Sequence, residues 1–342
     1  MALIAQAPVR ISFGGGGTDL AAYYKRYGGL VISTAINRYV YTIVSSSVFD
    51  SQQIISADYQ SFYRRPLSED VNPDGELPLP KSVLDYFGVK TGIDIFIASQ
   101  VPPGTGLGSS GSVAVSMVAA LSTYVNRPLD KGEVAEIACH IEIDRMGAPI
   151  GKQDQYAAAF GGLNLITFTA DTVTVEPLPL DHDTLTRLQE SILLFYTGHA
   201  RDSANILKHQ RKASEQDSPE VIQRLHRIKA LGLEIRDALI TGDIKAFGEL
   251  MHQSWLNKRG LAANVSNSSI DEWYDLARRA GAIGGKITGA GGGGFLMLVC
   301  PPKAQSTVTQ ALAARNLRRM DFSFDFTGVR VVSTDMVPVP VV

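Results

Sequence analysis

Apolar positions along the chain fall into runs of two lengths. Short β-branched and aromatic runs at 93–98 (IDIFIA), 191–197 (SILLFYT) and 295–300 (FLMLVC) read as buried strands. Residues 113–125 (VAVSMVAALSTYV) are apolar too continuously for a half-exposed strand and over too great a length for a short one, so they read as a buried helix. Within 219–241, Val221, Leu225, Ile228, Leu231 and Ile235 recur at helical spacing, the mark of a core-facing stripe. Further helices are predicted at 20–27, 130–145, 155–160, 201–211, 243–257, 269–280 and 304–314. Asp130 followed by Glu133 supplies a capping box for the second of these. Further strands are predicted from Ala5 into a glycine turn at Gly14, then at 29–36, 39–45, 163–168 and 172–176, with an edge strand at 329–334. Residues 46–80 are polar and turn-rich around a strand at 53–57, and are expected to form a peripheral insert or lid. Periodicity alone yields a mixed α/β chain without internal repeats.

Composition narrows this. A length of 342 residues suits two domains better than one. The turn to polar, proline-bearing sequence near 180–195 places the boundary, giving domains 1–190 and 191–342. Hydrophobic residues make up 45% of the chain and charged residues 19%, enough to bury sizeable cores. A net charge of −2 offers no basic field for nucleic acid or anionic lipid. No apolar run approaches the ~18 residues of a membrane span, and the first ten residues lack the pattern of a signal peptide. Cys139 and Cys300 stand in apolar surroundings and are expected as buried thiols. The expectation is a cytoplasmic protein, monomer or homodimer, with no nucleic-acid or membrane partner.

Candidate chemistry concentrates where glycine does. Gly104, Gly106, Gly108 and Gly111 sit between the 93–98 strand and the 113–125 helix. They let the backbone approach a ligand while N–H groups and the positive helix end point at it, which describes an anion site, with phosphate the usual anion. Ser109 or Ser110 is the expected N-cap; a turn that merely starts a helix is the other reading. No lysine stands where a P-loop needs one. Gly106 to Gly111 spells a dinucleotide fingerprint, but Val101-Pro-Pro separates strand from glycines, and a helix stands where a Rossmann unit has its second strand. Gly14 to Gly17 imply backbone in tight contact with a strand or a ligand. Asp19 and Asp154 are each read as a helix cap or as a ligand-facing carboxylate, and Glu142 as a solvent-facing or a functional one. Trp255 and Lys258 read as a packing tryptophan and a solvated lysine ahead of substrate contacts. The glycine run 284–294, leading straight into a strand, reads as a tight packed turn rather than a hinge.

Three segments, in order, resemble the signatures of the GHMP small-molecule kinases: Ala7-Pro8-Val9-Arg10; Pro103 followed by Gly106-Leu107-Gly108-Ser109-Ser110; and Lys286-Ile-Thr-Gly-Ala-Gly-Gly-Gly-Gly294. The resemblance implies an α+β fold: an N-terminal domain like ribosomal protein S5 domain 2, a ferredoxin-like C-terminal domain, and a site in the cleft between them. It implies ATP held by Pro103, Gly104, Gly106, Leu107, Gly108, Ser109, Ser110 and Gly111, and Mg2+ held by Ser109 and Glu142. Asp154, twelve residues beyond Glu142, becomes the general base, with Arg10 or Lys152 as its cationic partner. Gly16, Gly17, Thr18 and Asp19, with Gly291 and Gly292, become acceptor contacts. Galactokinases carry Gly-Glu-His-Thr-Asp where this chain has Gly15-Gly16-Gly17-Thr18-Asp19. The glycine form is that of the family's D-glycero-D-manno-heptose 7-phosphate kinases, so the implied reaction is phosphorylation of an anomeric hydroxyl on a sugar phosphate. Lys25, Arg26, Arg201 and Lys208 are the expected clamp for the acceptor's phosphate. A kinase of an unphosphorylated fucose- or galactose-type sugar, and a catalytically silent sugar or nucleotide sensor, are the alternatives.

Overall fold

The computed structural model describes residues 2–198, 208, 212, 214–216, 218–261 and 265–334. Two long strands form its spine. β1 (Ala2–Gly14) pairs antiparallel with β2 (Gly29–Ser46) along almost its whole length. The helix α1 (Ala21–Tyr27) links them. The sequence predicts β2 as two strands, but the chain runs through as one. Its pairing steps from Pro8–Tyr39 to Val9–Ile36, so Asn37 and Arg38 bulge out without breaking the ladder. Pro8 has no N–H to give, and a bulge is where a strand tolerates proline.

Length lets β2 serve two neighbours. Its first half pairs with β6 (Leu163–Phe168) and its second half with β5 (Ile93–Ser99). β7 (Val173–Pro177) extends the sheet beyond β6. Of the two readings for residues 46–80, insert or lid, the structure shows an insert at the edge of the sheet. Within it β3 (Ser51–Ser56) pairs parallel to β5, and β4 (Ser61–Pro66) pairs with β3 to finish that edge. The helix α2 (Pro78–Tyr86), which the pattern does not predict, follows after the 67–77 connection.

The inner face of this sheet carries α3 (Ser109–Tyr124), α4 (Lys131–Cys139) and α5 (Gln153–Phe160). Every residue of α3 from Gly111 to Ser122 is buried, as its unbroken apolar run requires. Val113, Met117 and Leu121 pack in one core with Val40, Val44, Ile95 and Ile97 of the strands. The Asp130 and Glu133 capping box forms as predicted. The predicted 130–145 helix changes character at its end: His140–Arg145 is a π-helical turn.

A second, antiparallel sheet runs β11 (Arg318–Met320), β8 (Ile192–Tyr196), β10 (Phe295–Val299), β9 (Gly284–Ile287). It packs with α6 (His182–Ser191); α7 (Pro219–Ile240) lies instead on β1 and β2 and against the next helix, α8 (Ile244–Arg259), which with α9 (Ser268–Arg279) and α10 (Pro302–Ala313) packs on the second sheet. The stretch read as a polar boundary is therefore largely helical: Asp181 caps α6 by accepting from the Thr184 amide. The predicted 201–211 helix lies outside the described residues, apart from Lys208. The result is the expected α+β architecture. Val9, Ile11 and Phe13 of β1 pack against Leu194, Phe247 and Met297, so one core is shared by both sheets. The last strand among the described residues, β12 (Arg330–Ser333), returns to pair with β1 and extends the first sheet. Cys139 and Cys300 are free and buried.

Candidate active site

Between the two sheets lies a cavity of about 630 Å³, walled by the end of β1, the glycine turn after it, the loop before α3, the π-helical turn, the start of α5, and the β9 side of the second sheet.

The loop before α3 reaches the cavity with Pro103, Gly104, Gly106, Gly108, Ser109 and Ser110. Gly106 is held where only glycine fits: φ is 77°, and a Cβ would stand 2.6 Å from the Thr288 carbonyl oxygen. Across this contact a Cβ on Gly289 would stand equally close to the Gly106 Cα, so the 284–294 glycines press backbone against the loop. The N-cap of α3 is Gly108, not Ser109 or Ser110, and no side chain caps it. The first-turn amides thus have no side-chain acceptor at the cap, and the positive helix end faces the cavity. Leu107 points into the shared core, and its carbonyl accepts from the Arg10 amide. Gly111 does not line the cavity. It touches the start of α5, where a Cβ would meet the Asp154 Cβ at 2.8 Å.

Asp154 is not a helix cap; Lys152 holds that position and makes no side-chain cap. Its Oδ1 accepts from Arg10 Nε at 2.9 Å, Arg10 Nη2 at 2.6 Å and Gln153 Nε2 at 3.0 Å. Its Oδ2 has no hydrogen-bond partner among the described residues. Arg10 is only 4% exposed and also donates Nη1 to the Gly106 carbonyl at 2.5 Å, which ties Asp154, β1 and the loop together. Lys152 pairs instead with Glu136 at 2.8 Å, so of the two expected cations only Arg10 serves Asp154.

Glu142 is buried because the π-helical turn carries it inward with Ile141. Its Oε1 accepts from the Ser110 hydroxyl at 3.1 Å and its Oε2 from Gln155 Nε2 at 2.5 Å. Ser109, the expected partner of Glu142, makes no such bond, although it lines the cavity. Burial pushes the Glu142 carboxyl up to about 7; the Gln155 and Ser110 hydrogen bonds oppose this and the Asp154 charge adds to it. No cation pairs with Glu142 among the described residues. A buried carboxylate beside a hydroxyl, without a cation of its own, fits a divalent ion that takes few protein oxygens and completes its shell with phosphate and water. No cluster of three or more acidic, histidine or cysteine ligands occurs among the described residues.

Asp19 likewise does not cap its own helix, since Leu20 stands at that cap. Its carboxylate accepts from the Gly17 amide at 2.9 Å and, across the cavity wall, from the Gln153 amide at 3.2 Å, the first amide of α5. Burial raises its pKa, and the Asp154 charge adds to that. Gly16, Gly17 and Asp19 line the cavity. Thr18 does not: its hydroxyl bonds Gly15 and Leu30 backbone and holds the turn shut. Gly291 and Gly292 also fall outside the lining. They fold against Val265, whose carbonyl accepts from the Gly292 amide, while Gly289 and Ala290 take the cavity wall.

Several lining residues escape the sequence reading. Ser12 Oγ and Gln153 Oε1 are buried without partners. The signal for Ser12 was available: it stands two residues after Arg10 on a strand, hence on the same face. Tyr59 reaches the cavity from the β3–β4 turn, which the pattern read as peripheral. Lys258 is not a solvated lysine; it lines the cavity and donates to the Gly289 carbonyl. Lys286, which opens the third motif, is 4% exposed and also lines it. Trp255 is fully buried, a packing residue as expected. Of the expected clamp, Lys25 and Arg26 are exposed on α1, Lys208 is exposed, none of the three lines the cavity, and Arg201 lies outside the described residues.

Family models for the N-terminal domain of GHMP kinases and for their C-terminal domain match residues 79–162 and 235–318. The chain is 31% identical over 337 residues to a D-glycero-alpha-D-manno-heptose 7-phosphate kinase of Campylobacter jejuni, covering 95% of this chain and 97% of that one. It is 28% identical to a galactokinase of Pyrococcus furiosus, covering 95% and 96% respectively. A crystal structure described as a D-glycero-D-manno-heptose 1-phosphate kinase from Bacteroides thetaiotaomicron superposes with a TM-score of 0.79 at 30% identity, over 97% of this chain and 99% of that one. No helix among the described residues is long and apolar enough to cross a membrane.

Proposed function

Because this chain belongs to the GHMP kinases, we propose that it transfers the γ-phosphoryl group of ATP to the anomeric hydroxyl of a phosphorylated heptose, D-glycero-D-manno-heptose 7-phosphate. The observation that carries the reaction class is the junction of Arg10, Asp154 and Gly106: a carboxylate with one oxygen fixed and the other unpartnered, bonded through one guanidinium to the loop that precedes an uncapped helix start. The substrate class comes from the full-length likeness to the heptose phosphate kinase.

In this reading the phosphates of ATP lie on the amides from Gly104 to Ser110, against the positive end of α3. Pro103 and Leu107 shape the loop, and Ser109 adds a hydroxyl donor, while the Ser110 hydroxyl is given to Glu142. Glu142 and Ser110 hold Mg2+, whose chemistry when bound is to offset charge on the phosphate oxygens. The acceptor lies over Gly16 and Gly17, with its hydroxyls bonded to Asp19, Ser12 Oγ and Gln153 Oε1. Asp154 Oδ2 takes the proton from the anomeric hydroxyl as that oxygen attacks the γ-phosphorus. Arg10 holds the carboxylate in place through Oδ1 and stabilises charge on the attacking oxygen. Residues 1–190 carry nucleotide and base, and 191–342 close the site from the other side.

A coupled ADP-release assay across heptose 7-phosphate, mannose, fucose and galactose tests the substrate. Turnover only on an unphosphorylated sugar overturns the heptose phosphate assignment. Asp154→Asn tests the mechanism: turnover falls by a factor on the order of 10² or more, with ATP affinity nearly unchanged.

A further inference from the structure

Two ammonium groups face the cavity, that of Lys286 on a buried side chain and that of Lys258 on a half-buried one, and neither is paired with a carboxylate among the described residues. Lys258, near the C-terminal end of α8, donates one N–H to the Gly289 carbonyl. Lys286, on β9, donates one N–H to the Phe13 carbonyl at 3.3 Å. Neither forms an ion pair among the described residues, whereas Arg10 in the same cavity is neutralised by Asp154. An ammonium has three N–H donors. With one used on each lysine, about four donors remain between them without protein partners among the described residues. Burial and mutual repulsion both disfavour the arrangement: Lys258 is pushed down to about 8, first by burial and then by Arg10, although Asp19 pulls it back. Lys286 is pushed well below the usual lysine range by burial, Lys258 and Arg10. Desolvating a charge without a partner costs several kcal/mol. A folded chain that keeps two unpaired ammonium groups in one cavity is built for an anion that arrives from outside.

Their place decides which anion. Lys258 reaches Gly289, and Gly289 presses on Gly106 of the loop before α3. Lys286 reaches the end of β1, where the acceptor-side glycine turn begins. The pair therefore sits where the loop side and the acceptor side of the cavity meet.

We propose that Lys258 and Lys286 together form a subsite for one phosphate group, in place of the surface cations on α1. Their free donors meet the oxygens of a tetrahedral anion, with the ammonium ions as compact point charges. Two sources share this chemistry: the phosphate already carried by the acceptor, and the phosphoryl group in transfer. The assignment rests on the phosphoryl-transfer reading above.

Lys258→Met and Lys286→Met keep the apolar stems and remove the charges. Inorganic phosphate is the first probe, because its binding does not depend on which sugar is the substrate. The wild type is expected to bind it, seen as a thermal shift, and each variant to bind it at least about ten-fold more weakly, the weight of a lost charged hydrogen bond. Kinetics then separate the sources. If the acceptor's phosphate is the occupant, KM for the phosphorylated sugar rises about ten-fold or more while KM for ATP stays within about two-fold. If the occupant is the group in transfer, kcat falls by a like factor with phosphorylated and unphosphorylated acceptors. Folded variants with unchanged phosphate affinity and unchanged kinetics overturn the subsite. Should the variants not fold, the wild type still decides. Inorganic phosphate that competes with acceptor or with ATP supports the proposal, and phosphate that competes with neither overturns it. Failure on heptose phosphate with phosphate binding intact overturns the substrate assignment alone.

Discussion

Gly111 and Asp154 touch across the start of two helices: a methyl group on Gly111 would lie 2.8 Å from the Asp154 Cβ and 3.2 Å from the Gln155 amide nitrogen. Glycine at the third residue of α3 costs helix propensity, about 1 kcal/mol against alanine. What it permits is the close approach that puts the Asp154 carboxylate beside Arg10 and the loop. Gly111→Ala therefore gains local helix stability and loses alignment. Since misplacing a reacting group by a fraction of an ångström to an ångström costs up to about 10²-fold, kcat is expected to fall ten- to a hundred-fold. Thermal unfolding recorded beside the kinetics should show a folded protein; unchanged kcat would mean that the helix starts separate freely.

Arg10 makes three bonds that no lysine can reproduce: two to Asp154 Oδ1 and one to the Gly106 carbonyl. A lysine supplies a single ammonium on a flexible stem in place of the planar fork. Arg10→Lys is expected to keep the charge and still lower kcat by about ten-fold or more, because two of three buried bonds are lost. Steady-state kinetics with both substrates varied check this. The fall should appear in kcat ahead of KM for ATP, since Arg10 touches the loop through one carbonyl but holds Asp154 through two donors.

How much of this the chain announces depends on how local each feature is. The apolar run of α3, the Asp130 cap and the stripe of α7 are short-range patterns, and the structure follows them. α2 and α6 escape because one lies in a polar, proline-bearing stretch and the other is a polar surface helix with a narrow buried face. The single β2 is hidden because its bulge depends on Pro8, a residue on the partner strand. In the site, glycine loops are legible since backbone approach demands glycine. Which hydroxyl turns toward Glu142 is not, because Ser109 and Ser110 are chemically alike and differ only in helix phase. Lys258 gives no signal at all in the helical pattern of α8; its role appears only when Gly289 is brought beside it from thirty-one residues away.

Gly151 sets the position of Asp19 in the same way that Gly111 sets that of Asp154. A Cβ at this position would fall 2.0 Å from Asp19 Oδ2 and 2.8 Å from the Asp19 carbonyl oxygen. Gly151→Ala must push the carboxylate out of its bonds with the Gly17 and Gln153 amides. The nucleotide loop lies elsewhere in the cavity wall. KM for the acceptor is expected to rise about ten-fold or more, the weight of a charge-assisted hydrogen bond, with ATP affinity held. Isothermal titration with each substrate separately distinguishes this from general loss of structure, which would weaken both.

Glu142 makes the metal-free protein sensitive to pH in a direction that can be worked out. Its carboxyl is pushed up to about 7 in the folded chain, against 4.5 as the ordinary value. A folded-state value above the unfolded one means that the folded chain holds this proton more tightly. The associated stability is fully present below pH 4.5 and is lost as pH rises to about 7, by about 3 kcal/mol if the group acts alone. Glu142→Gln keeps the neutral shape and removes the titration. The difference in unfolding free energy between wild type and variant, measured without divalent ions, should therefore change across pH 4.5–7 in favour of the variant. Asp19 is also raised by burial, but it is present in both proteins and largely cancels from the difference. Divalent binding should show the reciprocal effect. Mg2+ added with nucleotide requires the carboxylate ionised, so below pH 7 its binding releases a proton and weakens as pH falls. Titration calorimetry in two buffers of different ionisation enthalpy reads that proton directly. A wild type that releases none at pH 6, or a variant that releases as many, would remove Glu142 from the metal site.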